Sequence, residues 1–204
     1  FGVSMQNHGG YKYAGDNYKK TVSLVGYDNS YPEIEQYLSL IHETDQAVEY
    51  LISYFENVDD DVIIVFFGDH RPKLNVSALS GTAPHDSDTL DTKQLKYKVP
   101  FFIWANYDIA EKQIHCTSLN YLSSYVYDAA GLSLPMYNRF LSEMEKAVPS
   151  INAYGFYSSE KQCYLPFHLA SDEELEWLQC YEYLQYNNLF NTDHRNNLFF
   201  PVPE

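Results

Sequence analysis

A long helical pattern runs directly into an unbroken apolar strand in the first third of the chain. The sequence predicts a helix from Ser30 to about Asn57, opened by a capping box and by Pro32 in its first turn. Apolar residues then continue without polar alternation from Val62 to Phe67, which is typical of a strand covered on both faces. Together they predict an α/β fold in which helices sandwich a mostly parallel sheet.

The inward face of this first helix carries one charged side chain. Apolar residues recur at alternating spacings of four and three from Ile34 to Phe55, and Asp45 occupies one position of that stripe. A carboxylate on a packed face must be hydrogen-bonded or paired. We therefore expect Asp45 to be buried, as a structural anchor or behind a functional site.

The rest of the chain divides into further elements and one exposed-looking connection. Residues 71–97 are rich in polar residues, Gly and Pro and predict a long loop. The other predicted elements are a strand at Val99–Ala105, helices at about Ser118–Ala130 and Tyr137–Ala147, an irregular stretch at 150–170, and a capped helix from Ser171 to about Tyr186. With 204 residues, the chain suits one domain with a short appendage, which we place at 1–150 and 151–204.

The charge balance excludes several classes of partner. The 13 Lys and Arg against 28 Asp and Glu give a formal net charge of −15, which repels nucleic acid and anionic lipid surfaces. No stretch approaches the ~20 apolar residues of a membrane span, so the segment is expected to be soluble. An anionic substrate would need local neutralisation, for which a bound metal cation is suited. Cys116, Cys163 and Cys180 form no CxxC pair and leave the compartment open.

Candidate chemistry lies at the ends of two predicted strands. Gly68-Asp69-His70 follows the apolar strand, and a carboxylate beside an imidazole suits Mn²⁺, Zn²⁺ or Fe. The remaining ligands would come from elsewhere. Asn7-His8-Gly9-Gly10 follows a strand that we expect to open the chain. His8 is a candidate to hydrogen-bond a phosphate or sulfate oxygen, although solvent exposure or a backbone hydrogen bond explains a lone loop His as well. His85, beside Asp86 and Asp88, is a candidate second metal site, although a solvated polar loop explains it as well.

Several segments, in this order and spacing, resemble one branch of the alkaline phosphatase and sulfatase superfamily, the lipoteichoic acid synthase-like phosphoglycerol transferases. The resemblance covers most of residues 1–150. It rests on Asn7-His8-Gly9, the Tyr37–Phe55 helix with Asp45, VIIVFFGDHRP at 62–72, VPFFIWANY at 99–107 and the stretch 119–135.

The resemblance implies a metal-dependent transferase on the extracellular face of a bacterial membrane, anchored there in its full length. A Thr nucleophile takes up a phosphoglycerol group from a lipid donor and passes it to a cell-envelope acceptor. Asp69 and His70 match metal ligands, with Mn²⁺ as the usual ion and Zn²⁺ or Mg²⁺ as alternatives. His8 matches a substrate-contacting His, and Arg71 is a second candidate for binding phosphate. The substrate is then a lipid-linked phosphoglycerol or another phosphate or sulfate ester.

The family's nucleophile and its acidic first ligand have no counterpart in this sequence. In such proteins both come before the part represented here, and Thr21, Thr44, Thr82 and Thr117 do not follow a buried strand beside a carboxylate. We therefore expect the segment to be the C-terminal part of a catalytic domain, incomplete at its N-terminus and inactive alone. A sulfatase or phosphodiesterase of the same fold, and a non-catalytic binding module, remain alternatives.

Overall fold

The computed structural model of the chain describes residues 1–11, 19–27, 30–74 and 89–201. Helices and strands are mixed along these residues, alternating as far as the second strand. The helices are α1 (Pro32–Phe55), α2 (Leu90–Leu95), α3 (Leu122–Ala129), α4 (Met136–Ala147) and α5 (Asp172–Phe190). The strands are β1 (Ile63–Phe67), β2 (Phe101–Ala105), β3 (Ser150–Asn152), β4 (Gly155–Ser158) and β5 (Cys163–Leu165).

Helix α1 has the predicted extent but a different start and a more exposed face. Tyr31, and not Ser30, is the N-cap, and no side chain caps the helix. Ile34 is buried, whereas Asp45 is exposed. The prediction of a buried Asp45 is therefore wrong, because the middle of the apolar stripe is left open to solvent and the carboxylate needs no buried partner.

Strands β1 and β2 pair antiparallel, so the expectation of a mostly parallel sheet does not hold for the described strands. The register runs from Ile63 opposite Ala105 to Phe67 opposite Phe101. The amide of Gly68 donates to the carbonyl oxygen of Pro100 at 3.1 Å. The chain thus re-enters the sheet at the same end at which it left β1, whereas a parallel pair would need a crossover to the opposite end of the strands. Every residue of both strands is only half-buried.

The expected opening strand is not formed in residues 1–11. These residues make an irregular segment with a turn in which the amide of His8 donates to the carbonyl oxygen of Met5 at 3.1 Å. The ring of Phe1 lies 6.4 Å from that of Phe67. The segment does not pair with a described strand, and its backbone is held by this turn and by side-chain hydrogen bonds of Asn7 and Tyr11.

Residues 150–165 are more regular than the sequence indicates. Strands β3, β4 and β5 form an antiparallel sheet in that order, so the prediction of an irregular stretch is wrong. A Cβ on Gly155 would lie 2.2 Å from the carbonyl oxygen of Leu165, so the pairing of β4 with β5 requires glycine there. Strands of three and four residues are too short to show a reliable alternation.

The principal core cluster lies between this small sheet and the helices around it. It is formed by Met144, Val148, Phe156 and Leu178. Helix α5 begins at the predicted capping box, in which Ser171 and Glu174 each accept the other's amide hydrogen. The predicted division of the chain at residue 150 stays a prediction.

A polar junction joins α3 to α4. The hydroxyl of Tyr125 and that of Thr117 both donate to Oε1 of Glu145, at 2.5 and 2.8 Å, and the hydroxyl of Tyr121 donates to the carbonyl oxygen of Val148 at 2.6 Å. Burial raises the pKa of Glu145, although both hydroxyl hydrogen bonds act in the opposite direction. This junction links the first part of the chain to the C-terminal core.

Candidate active site

Asp69 and His70 leave the end of β1 through a glycine that the packing favours. A Cβ on Gly68 would lie 3.0 Å from Cβ of Val99, so a larger residue would require Val99 to shift by a few tenths of an ångström. The two strands therefore approach closely just before the chain turns out to solvent. As the sequence predicted, the carboxylate and the imidazole emerge side by side at the edge of the sheet.

The hydrogen bonds of His70 indicate which of its ring nitrogens is free. Nδ1 lies 3.1 Å from the carbonyl oxygen of Arg71, which can only accept, so the tautomer that satisfies this contact has its proton on Nδ1 and leaves Nε2 available to a cation. Oδ1 of Asp69 accepts the backbone amide of His70 at 2.7 Å. Oδ2 of Asp69 lies 3.4 Å from Nε2 of His70. A cation placed between these two atoms would contact both of them.

This spacing fits a shared metal ion. Two ligand atoms about 2.1 Å from one ion are about 3.4 Å apart in a tetrahedral site and about 3.0 Å apart in an octahedral one. Both side chains are exposed, Asp69 by 80% and His70 by 59%, so an ion can reach them. No cluster of three His, Cys, Asp or Glu is present in the part of the chain that the structure describes. The described residues thus provide two ligands of a candidate site.

Arg71 is fixed at one end of its guanidinium. Nη1 donates to the carbonyl oxygen of Leu95, at the end of α2, at 2.9 Å. The positive charge of Arg71 also acts on Tyr37 of α1, whose pKa is nevertheless raised because burial outweighs it. Arg71 therefore lies between α1 and α2, next to the candidate metal ligands.

His8 is exposed, and its turn is fixed by its neighbours. Nδ2 of Asn7 donates to Oγ1 of Thr44 in α1 at 2.8 Å, and the hydroxyl of Tyr11 donates to the carbonyl oxygen of Asn7 at 2.7 Å. The Tyr11 ring packs edge-on against Tyr37, with ring centroids 5.5 Å apart. Since the charge of Arg71 also acts on Tyr37, the turn that carries His8 and the side chain of Arg71 both lie near this one tyrosine of α1.

The other predicted candidates are placed less near this corner or lie outside the described residues. The hydroxyl of Thr44 bonds within α1 and to Asn7, and that of Thr117 bonds to Glu145, so both are used in packing. Thr82 and His85 lie outside the described residues. All three cysteines are free. Among the described residues, no helix is long and apolar enough to cross a bilayer.

Two contributors to the site had no recognisable sequence signal. Tyr37 lies between the His8 turn and Arg71, but nothing in the sequence distinguishes it from the other tyrosines, of which the chain has 20 in total. The carbonyl group of Leu95 anchors Arg71, and a backbone acceptor 24 residues away leaves no trace in side-chain pattern. The contacts that bring these groups together are tertiary.

Comparison with known proteins places the chain in a family. The sulfatase family model matches residues 2–132, more than half of the chain. A putative cyclic beta-1,2-glucan modification protein of Rhizobium meliloti (strain 1021) is 25% identical over 210 residues, covering 98% of this chain and 32% of that protein. The chain therefore spans about a third of the length of this curated relative.

A solved structure supports the fold. The phosphoglycerol transferase GacH of Streptococcus pyogenes, in complex with sn-glycerol-1-phosphate, matches with a TM-score of 0.60 and 17% sequence identity over 84% of this chain and 39% of that one. At this identity the likeness concerns the fold. The resemblance found in the sequence, and the alkaline phosphatase and sulfatase-like fold that it implied, are thus confirmed. The chain belongs to the sulfatase family.

Proposed function

We propose that the full-length protein is a metal-dependent transferase that moves a phosphoglycerol-type group from a lipid donor to a cell-envelope acceptor. The observation that carries the proposal is the exposed Asp69–His70 pair, in which Oδ2 of Asp69 lies 3.4 Å from Nε2 of His70 just after β1. A divalent cation, Mn²⁺ in the first instance and Zn²⁺ or Mg²⁺ as alternatives, would neutralise charge on the phosphoryl oxygens.

The residues of this chain then have distinct tasks. Asp69 and His70 would hold the cation, and the hydrogen bond from Nδ1 of His70 to the carbonyl oxygen of Arg71 orients the imidazole for it. His8 would contact the phosphoryl or glycerol group. The guanidinium of Arg71, anchored through Nη1, would direct its other N–H groups at phosphate. These charges matter because a net charge of −15 otherwise repels an anionic donor.

The nature of donor and acceptor is supported by the compared proteins. The structural neighbour is a phosphoglycerol transferase bound to sn-glycerol-1-phosphate, and the curated relative is named for modifying a glucan. A glycan of the cell envelope is therefore the acceptor that we favour. The nucleophile, a membrane anchor and the placement on the extracellular face belong to the proposal for the whole protein, and residues 1–204 alone are expected to be inactive.

The experiment compares two exposed carboxylates in the full-length protein. Asp69→Asn should weaken Mn²⁺ binding at least tenfold, because losing even an outer-shell partner of a metal ligand typically costs 10- to 100-fold. It should also abolish metal-dependent turnover of a phosphoglycerol ester. Asp45→Asn on α1 is the matched control and should change neither. Mn²⁺ binding is measured by titration calorimetry. Equal Mn²⁺ affinity in both variants would refute the assignment of Asp69.

A hydrolase of the same fold is the second candidate, favoured by the match to the sulfatase model itself. Turnover of a sulfate ester, with none of a phosphoglycerol ester, would select it. A protein that binds no divalent cation and turns over neither ester would be the non-catalytic binding module.

A further inference from the structure

Two tyrosines form an exposed ring pair close to the candidate active site. Tyr97 follows α2, and Tyr154 lies in the turn between β3 and β4; their ring centroids are 5.6 Å apart with the planes tilted by 45°. Both rings remain exposed, by 48% and 43%. Tyr97 lies two residues after Leu95, whose carbonyl oxygen anchors Arg71. The ring pair is therefore linked, through the end of α2, to Arg71, the residue that follows the two candidate metal ligands.

The pair is held in place by a buried amide contact rather than by the rings alone. Gln94 is only 3% exposed, and its side-chain amide exchanges hydrogen bonds with that of Asn152 at the end of β3. Oδ1 of Asn152 also accepts the backbone amide of Tyr154 at 2.9 Å. One asparagine thus fixes both α2 and the turn that carries Tyr154. A preformed pair of exposed rings loses little conformational entropy when a ligand binds.

The surroundings of the pair are basic in an otherwise acidic chain. Residues 71–73 and 93–98 carry five of the 13 Lys and Arg and no Asp or Glu, and the Arg71–Leu95 hydrogen bond brings the two segments together. Nζ of Lys93 lies 5.7 Å from the centroid of the Tyr154 ring. Such a local excess of positive charge attracts anions although the whole molecule repels them.

We propose that Tyr97 and Tyr154, with Arg71 and Lys93 beside them, bind the sugar or polyol part of a phosphorylated glycan next to the reacting group. The identity of the reacting group rests on the proposed function. The binding surface itself rests on the contacts of the two tyrosines. Tyrosine rings offer an apolar face to the C–H groups of a sugar and a hydroxyl to its edge. The basic side chains attract the phosphate group. The rings and the charges together therefore favour a phosphorylated sugar over a free sugar or a free phosphate.

The test measures binding of glucose 6-phosphate to the full-length protein by titration calorimetry, with glucose and inorganic phosphate as partial probes. We expect Tyr97→Ala with Tyr154→Ala to weaken glucose 6-phosphate binding roughly three- to tenfold and to leave phosphate binding nearly unchanged. Lys93→Gln removes the ammonium beside the Tyr154 ring and should weaken both phosphate-containing probes, more at low salt than at high salt. Tyr183→Ala with Tyr186→Ala is the matched control, because these tyrosines are also exposed, on α5.

The outcomes separate this inference from the proposed function. Weaker glucose 6-phosphate binding in the Tyr97→Ala, Tyr154→Ala variant but not in the control variant, with unchanged Mn²⁺ affinity, supports the proposed binding surface. If the wild type shows no metal-dependent turnover but the Asp69→Asn variant still binds glucose 6-phosphate, the binding surface is supported and the proposed reaction is refuted. No binding of glucose 6-phosphate by the wild type, or equal affinity in both tyrosine variants, overturns the inference. Tyr97→Phe with Tyr154→Phe keeps the rings, so it should retain most of the affinity even where the alanine variant folds poorly.

Discussion

Residues 1–132 and residues 133–201 differ in how they use apolar side chains. The first region matches the family model and carries the candidate site, yet each residue of β1 and β2 is only half-buried. The second region holds the principal core, in which Met144, Val148 and Phe156 are fully buried. Catalytic candidates and close packing are thus separated along the chain, and the site lies on the less enclosed part.

Large exposed side chains occur in both regions. Val3, Tyr50 and Tyr54 are 71%, 75% and 61% exposed in the first, and Tyr183 and Phe190 are 68% and 73% exposed in the second. The difference between the regions therefore lies in their strands, because β1 and β2 are apolar throughout but half-buried, whereas Phe156 of β4 is fully buried.

The largest expected effect is a contrast between two phenylalanines. Phe156→Ala should lower the free energy of unfolding by about 3–5 kcal/mol, because it empties a fully buried position. Phe102→Ala removes a half-buried ring that stacks on Phe66 at 5.2 Å and should cost roughly half as much. Urea unfolding of both variants gives the two values. Equal costs would show that β2 is as well enclosed as the C-terminal core.

A smaller effect distinguishes the two capping sequences. Ser171→Ala removes a side chain that accepts the amide of Glu174, so we expect a loss of about 1 kcal/mol in the free energy of unfolding. Ser30→Ala should change it by less than about 0.5 kcal/mol, because no side chain caps α1. Thermal unfolding monitored by circular dichroism measures both. A comparable loss for Ser30→Ala would mean that α1 is capped in solution.

The smallest effect concerns the junction between the regions and depends on pH. Burial raises the pKa of Glu145 above its ordinary 4.5, so ionisation is less favourable in the folded than in the unfolded protein. The stability that this group contributes is therefore full below the unfolded pKa and is lost as the pH rises through the folded value. Glu145→Gln cannot ionise, and the wild type should lose stability relative to it between pH 4 and pH 7. A wild type that instead gains on the variant over this range would contradict the direction of the shift.

How far the sequence predicts the molecule depends on the range of the interactions involved. Helices α1, α3, α4 and α5 follow from periodicity and from local start and stop signals, and the corner at Asp69 and His70 follows from a glycine after an apolar strand. These are local patterns. The pairing direction of β1 and β2 depends on where a long connection returns, and no local pattern encodes that.

The failures at Asp45 and Ser30 share one cause. A stripe on a helix predicts burial only if another element covers it, and a capping box forms only if the chain enters the helix at the right residue. The capping box at Ser171 forms where the C-terminal core fixes the approach of the chain. The one at Ser30 lies in the more open region, where Tyr31 takes the N-cap position.

The return of the chain to the end of the strand pair that it left has a consequence for how the sequence can vary. The Gly68–Pro100 and Arg71–Leu95 hydrogen bonds hold the chain on both sides of the residues that separate them. Substitutions between these two anchoring contacts can therefore accumulate while β1, β2 and the Asp69–His70 corner keep their register.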